Sequence, residues 1–442
     1  EALKAYTFAM SKYAQGDQAG AVPLFQHAID MDPEFAMAYA NLGRSYEVLR
    51  QYDAMDAALK KAFALRHRTS QRENLDISSV YYQFVTQDLD KNIEICELWQ
   101  QTYPRDFTPH RVLGFENASL GRWERSLEEF RRAMEIDPNQ ALPYSGQMYG
   151  NLALNRLDDA RAVYQAAKSH NVHAGEPTRL RFLLAFVEGD KATMAEMVDL
   201  LEHQRGFEGA AVEGPASVKA YFGQFRAARE GFQVLLDTAE REKRNQEIAE
   251  RQADIALEDA LLGESADARQ RAAVSLRLGG EPGLALALSG ETGRANKIVE
   301  RWATRSMPGS FDRIHLPELR AAIELNRGNP LRAVELLAPV RRYESGWMDR
   351  YMAAYLRGQA YLATRRGGDA ALEFYKILDH PGITLNSLIG PLSRVGLARS
   401  YVLAGDAPKA KAAYEDFFAI WKDADENIPI LLAAKAEYSS LP

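Results

Sequence analysis

The chain predicts an all-α fold, a right-handed α-α superhelix built as a solenoid of about twelve helical hairpins. Turn positions recur on a ruler: Gly16, Arg50, Gln87, Gly121, Asn155, Gly189 and Gly223 are separated by 34, 37, 34, 34, 34 and 34 residues. Gly and Asn hold most of these places, and both tolerate the left-handed backbone that stops a helix. A second ruler runs beside it, with Pro33, His67, Pro104 and Pro138 closing successive units. Proline is poorly accommodated inside a helix and accepted at its first turn, so these places separate one hairpin from the next. Ala, Leu, Glu and Arg are abundant, while β-branched alternation over strand length is scarce.

Taken in order, the first ruler predicts seven hairpins up to about residue 240. The later turns, Gly263, Gly290, Gly328, Arg365 and Gly405, follow Gly223 at 40, 27, 38, 37 and 40 residues. Each precedes an Ala-containing helix: Ala268–Ala272, Ala295–Val299, Ala333–Leu337, Ala370–Phe374 and Ala410–Tyr414. An Ala one turn before a larger apolar side chain lets two helices press together. The total is about 24 helices by the two-helix rule. Gly279, Gly280, Pro282, Gly283 and Gly290 crowd what should be a first helix, and both residue types oppose helix there. The expected organisation is therefore a regular arm over 1–275, irregular repeats and a bend over 276–345, and C-terminal repeats over 346–442.

Two stretches carry a known signature. Tyr39, Leu42, Gly43 and Tyr46 form one half, and Leu113, Gly114, Gly121, Trp123, Phe130, Ala133 and Pro138 span a complete unit. Both resemble the tetratricopeptide repeat, in which a hairpin cannot bury its own apolar face and must stack on neighbours. Gly43, Gly114, Ala28 and Ala133 are expected at the close crossing of the paired helices.

Composition narrows the function. The net charge of −7 argues against a nucleic-acid surface driven by basic charge. One cysteine, Cys96, rules out an intramolecular disulfide and any multi-cysteine zinc site. No apolar run approaches the roughly 18–20 residues needed to cross a bilayer, so neither a span nor a signal peptide is expected. The chain starts at Glu1 without an initiator Met, which suggests a piece of something longer.

No catalytic residue, cofactor or metal site is predicted. The sequence has no Gly-x-x-x-x-Gly-Lys-Ser/Thr loop, His-Glu-x-x-His helix, Gly-x-Ser-x-Gly elbow or kinase motif set. His170 and His173 read as a polar pair at a repeat junction, Glu128 and Glu129 as a solvated face, and Cys96 as a buried small hydrophobe.

Recognition is the remaining chemistry. In the repeat, the fifth, ninth and twelfth places of each first helix point to the inner face. Tyr6, Met10 and Tyr13 stand there in the first hairpin, Ile77, Tyr81 and Phe84 in the third, Arg111 and Phe115 in the fourth, and Ser145, Tyr149 and Leu152 in the fifth. Aromatic and Met side chains interleaved with Arg44 and Arg111 suit a protein or peptide partner. A clamp for a C-terminal carboxylate is not expected. Only Asn41 occupies a clamp place, and Leu3, Met10, Asn74 and Ser78 stand where the others would be.

The last third is similar to the C-terminal repeat regions of certain bacterial Ser/Thr protein kinases. The segments Tyr355–Leu362, Phe374–Ile383, Tyr414–Asp425 and Ile428–Leu431 carry the likeness. It implies a non-catalytic interaction or sensor region attached to a membrane-anchored kinase. A related repeat region follows winged-helix domains in some bacterial regulators, and that likeness implies a ligand- or protein-sensing effector region instead.

Overall fold

The computed structural model describes residues 1–304 and 311–442, and among these there are 26 α-helices and no strand. Twenty-four of the helices pair into twelve antiparallel hairpins, as the ruler predicts. The two outside that pattern are the short Pro381–Thr384 and the closing helix Pro429–Ser439. All twelve ruler positions have positive φ, from 53° at Gln87 to 91° at Gly290. Arg50, Gln87, Asn155 and Arg365 adopt the left-handed conformation despite carrying a Cβ, at a cost of about 1 kcal/mol each. The turn within a hairpin thus demands that conformation whatever residue stands there. Pro33, His67, Pro104 and Pro138 all fall between hairpins.

Close helix crossings use small residues. Ala28 and Ala133 are sealed, and a Cβ at Gly43 would meet the Leu59 side chain 2.5 Å away. The ninth and tenth hairpins are still paired but built from shorter and less regular pieces among the described residues. The first helix of the ninth hairpin, Gly283–Leu288, has 6 residues, against 13 in the equivalent helix Ala2–Ala14. A π-helical turn at Phe311–His315, a 3-10 turn at Ala338–Arg342 and left-handed Arg350 and Tyr351 follow.

The chain divides into two compact units, the first Glu1–Glu116 and the second starting at Asn117 and reaching Pro442. The boundary falls inside the helix Phe107–Ser119. In the first unit, apolar clusters each join two adjacent hairpins: Ala5 to Ala58, Ala36 to Ile77, and Met55 to Val80.

The second unit doubles back on itself. Trp123 Nε1 donates to the Ser345 carbonyl at 3.0 Å, and Trp347 Nε1 donates to Ser119 Oγ at 3.0 Å. Asn155 Nδ2 donates to the Asp379 carbonyl at 3.1 Å, and Trp421 Nε1 to the Tyr221 carbonyl at 2.9 Å. From the turn near Gly121 to Asn155 to Tyr221, the partners advance from Ser345 to Asp379 to Trp421, so C-terminal segments lie beside successive turns of the earlier hairpins. Gly382 sits so close to the Leu152 carbonyl that a Cβ would overlap it. One apolar cluster consequently joins Ala118 to Ala434.

The same unit buries charge. Arg357 is fully enclosed and pairs with Glu344 and Glu373, which Lys376 also contacts. Nearby, Glu318 and Asp349 are both buried, with His315 Nδ1 3.0 Å from Glu318 Oε2. Burial pushes both carboxyls up, Glu318 to about 7, and the like charge of its neighbour adds to the rise at Asp349.

Candidate partner-binding face

The first helices of the first unit bring Tyr6, Met10, Tyr13, Arg44, Tyr81, Phe84, Arg111 and Phe115 into that one unit, and each is half-buried. Ile77, at an equivalent place, is sealed in the core between the second and third hairpins. Tyr6 packs against Phe35 with ring centroids 4.8 Å apart, and Met10 and Tyr13 border the same apolar cluster. Tyr81 stacks flat on Phe63 at 3.8 Å, and the Arg66 guanidinium lies 3.7 Å over the other ring of that pair, Phe63. Phe84 borders the Met55–Val80 cluster. The rings of Tyr6, Tyr13, Tyr81 and Phe84 are therefore packed against the fold and still partly exposed, the state of a side chain that both supports the fold and presents a surface.

A polar ladder crosses the repeats between these rings. Asn41 Nδ2 donates to Tyr6 Oη at 2.9 Å, and Arg44 Nη1 donates to Asn41 Oδ1 at 3.0 Å. Arg44 Nη2 then reaches Asp76 Oδ1 at 2.6 Å, which ties the second hairpin to the third. Burial tends to lower the Arg44 pKa, yet Asp76 holds it above the ordinary value. Burial raises Tyr6, partly offset by Arg44. Arg111 differs: burial and then the positive charge of Arg44 pull it below the usual arginine range. Asp76, the partner of Arg44, is close enough to offset part of that fall.

Sequence reasoning missed Asp76 and gave Asn41 no part in such a ladder. A signal was available, since opposite charges about one repeat apart pair across neighbouring hairpins. Arg68 with Glu34, Arg72 with Asp106 and Arg156 with Glu124 do the same at 34, 34 and 32 residues.

Tyr149 belongs to the second unit and is half-buried like the rings of the first. Its ring stacks on Trp123 at 5.9 Å and lies under the Arg350 guanidinium at 5.8 Å. Leu152, from the same helix, is sealed, and Ser145 is buried. Cys96 is fully buried beside Ser79, and desolvation pushes its thiol up to about 12. Such a thiol is a poor nucleophile. His170 and His173 rest against Tyr144 and Tyr164 respectively. Among the described residues, no group of three or more His, Cys, Asp or Glu could hold a metal ion, and no helix is long and apolar enough to cross a membrane.

No protein-family model matches the sequence, and no curated protein matches it. Among solved structures, the chain is similar to PilW, described as a widely conserved type IV pilus biogenesis factor. Identity there is 14%, the match covers 47% of this chain and 96% of that one, and the TM-score is 0.39. It is also similar to yeast Tom70, at 13% identity over 92% and 96% of the two chains, with a TM-score of 0.34. A third is the Cut9–Hcn1 hetero-tetramer of APC/C, at 13% identity over 98% and 96%, with a TM-score of 0.34.

Proposed function

We propose that the chain is a non-catalytic interaction or sensor scaffold that holds an extended peptide or a protein partner on the first-helix face of its first unit. The observation that carries this reading is the partly exposed set Tyr6, Met10, Tyr13, Tyr81, Phe84 and Phe115 on the first helices of one unit, together with the Arg44–Asp76 pair and Arg111. Rings anchored in advance lose little freedom when a partner covers them, and Arg111 favours a partner with an acidic group beside its apolar residues. The parent protein on this reading is a bacterial Ser/Thr protein kinase, on the strength of the sequence resemblance in the last third.

The test is selection of binding peptides from a random library, followed by calorimetry on the intact chain. Replacing Tyr81 and Phe115 together with Ala should weaken the selected peptides by about 2 kcal/mol or more, as loss of two aromatic anchors does at an interface. Helical circular dichroism should stay unchanged. Equal binding by the double variant would refute the assignment of this face.

A further inference from the structure

The ninth hairpin leaves a basic cleft on the second unit. Its first helix, Gly283–Leu288, is 6 residues long and spans about 9 Å, so it covers only part of the space between the second helices on either side. Those helices are Ser265–Arg277 and Thr292–Thr304. What remains is a cleft of about 550 Å³ with Leu276 and Ile298 among its apolar lining and with Arg277, Arg294, Lys297 and Arg301 around it. Among the described residues no acidic side chain lines it, on a chain whose net charge is −7.

Three of the cations, Arg294, Lys297 and Arg301, are spaced i, i+3, i+7 and so share one helix face, where like charges repel. Arg294 also stands in the first turn of its helix, the end where a cation is disfavoured and an anion favoured. Arg301 is held by Glu281 at 2.6 Å, and Arg294 lies 3.8 Å from Glu291. Arg277 and Lys297 are exposed and have no carboxylate within ion-pair distance among the described residues. A cleft of this volume is the size of a small-molecule site. Convergent guanidinium and ammonium groups above an apolar floor suit phosphate oxygens attached to a carbon skeleton.

We infer that this cleft binds a soluble small molecule carrying two or more linked phosphate groups, with its organic part on Leu276 and Ile298. This site lies in the second unit and does not depend on the peptide-binding face of the first. The test is calorimetric titration of the full chain with pyrophosphate, and with orthophosphate for comparison. Pyrophosphate should bind saturably at one per chain and tighter than orthophosphate. The paired change Arg277→Ser and Lys297→Ser should weaken it about tenfold or more, the loss expected when two charge-assisted contacts go. The exposed control pair Arg131→Ser and Arg132→Ser should leave binding unchanged, and all three proteins should keep the same helical dichroism. Non-saturable binding, or equal weakening by the control pair, would mean adventitious charge attraction and overturn the inference. Binding to phosphatidic acid vesicles without binding of pyrophosphate would also overturn it, because the ligand would then be a membrane surface.

Discussion

The two units use the same hairpin and hold it in different ways. In the first, the clusters Ala5 to Ala58, Ala36 to Ile77 and Met55 to Val80 join neighbouring hairpins, as expected where stability is a sum of local interfaces. In the second, one cluster gathers side chains from Ala118 to Ala434, and tryptophan N–H groups bond to carbonyls about 200 residues away. The difference teaches that a repeat array need not remain one-dimensional. When later hairpins return beside the turns of earlier ones, repeats far apart in the chain share one apolar core.

The largest effect should come from cutting the long-range closure. Trp421 is buried, packs on Phe417 and Phe225 with centroids 4.7 and 5.7 Å away, and bonds to the Tyr221 carbonyl. Trp421→Ala should destabilise by about 3–5 kcal/mol. Hydrogen exchange should show protection falling both in 389–442 and in 208–241. Leu59→Ala, in the first unit, should cost about 2–5 kcal/mol, with loosening confined to residues 1–116. If Trp421→Ala loosened only its own hairpin, the second unit would be no more cooperative than the first.

A smaller effect is expected at a position the units share. Ala28 and Ala133 occupy the same place in their second helices, and both are sealed. Leucine at either should overpack the crossing and cost about 1–3 kcal/mol. The Ala133→Leu melt should shift the whole second unit, whereas Ala28→Leu should shift a transition restricted to the first. Unchanged melting in both variants would contradict the crossing geometry.

The smallest effect is a pH dependence confined to the second unit. Glu318, at about 7, and Asp349, also raised, keep protons in the folded state that an unfolded chain releases near pH 4. Below that pH the pair has no cost. As pH rises from about 4 through about 7, the unfolded state binds fewer protons than the folded one, so stability falls. Burial lowers His315, which therefore stays neutral in the upper part of this window and does not reverse the trend there. Glu318→Gln should flatten the decline between pH 5 and 8 in denaturant titrations of the second unit. Asp254, raised to about 6, and Glu258, raised to about 8, lie in the same unit and keep part of the slope, so a slope undiminished in that variant would assign the dependence to them.

Much of the local architecture was readable in advance because it rests on short-range rules. A left-handed residue must end each first helix, proline or a polar turn must separate hairpins, and small residues must stand where helices cross. Hence all twelve turns, the hairpin count and the burial of Gly43, Gly114, Ala28 and Ala133 follow from spacing. Even Arg365, with no glycine to mark it, was found by period alone. The aromatic places of the first helices were readable too, but periodicity could not say which rings the chain would cover. That depended on contacts between segments about 200 residues apart, which leave no periodic trace: Trp421 with Tyr221, Trp123 with Ser345, Gly382 against Leu152. The enclosure of Arg357 and the Glu318–Asp349 pair likewise arose only when helices from different hairpins closed around them. By itself the sequence determined the hairpin, its period and its helix crossings, because those depend on neighbours along the chain. Tertiary structure decided which faces meet and which stay open, because that is set by packing between surfaces that no local rule relates.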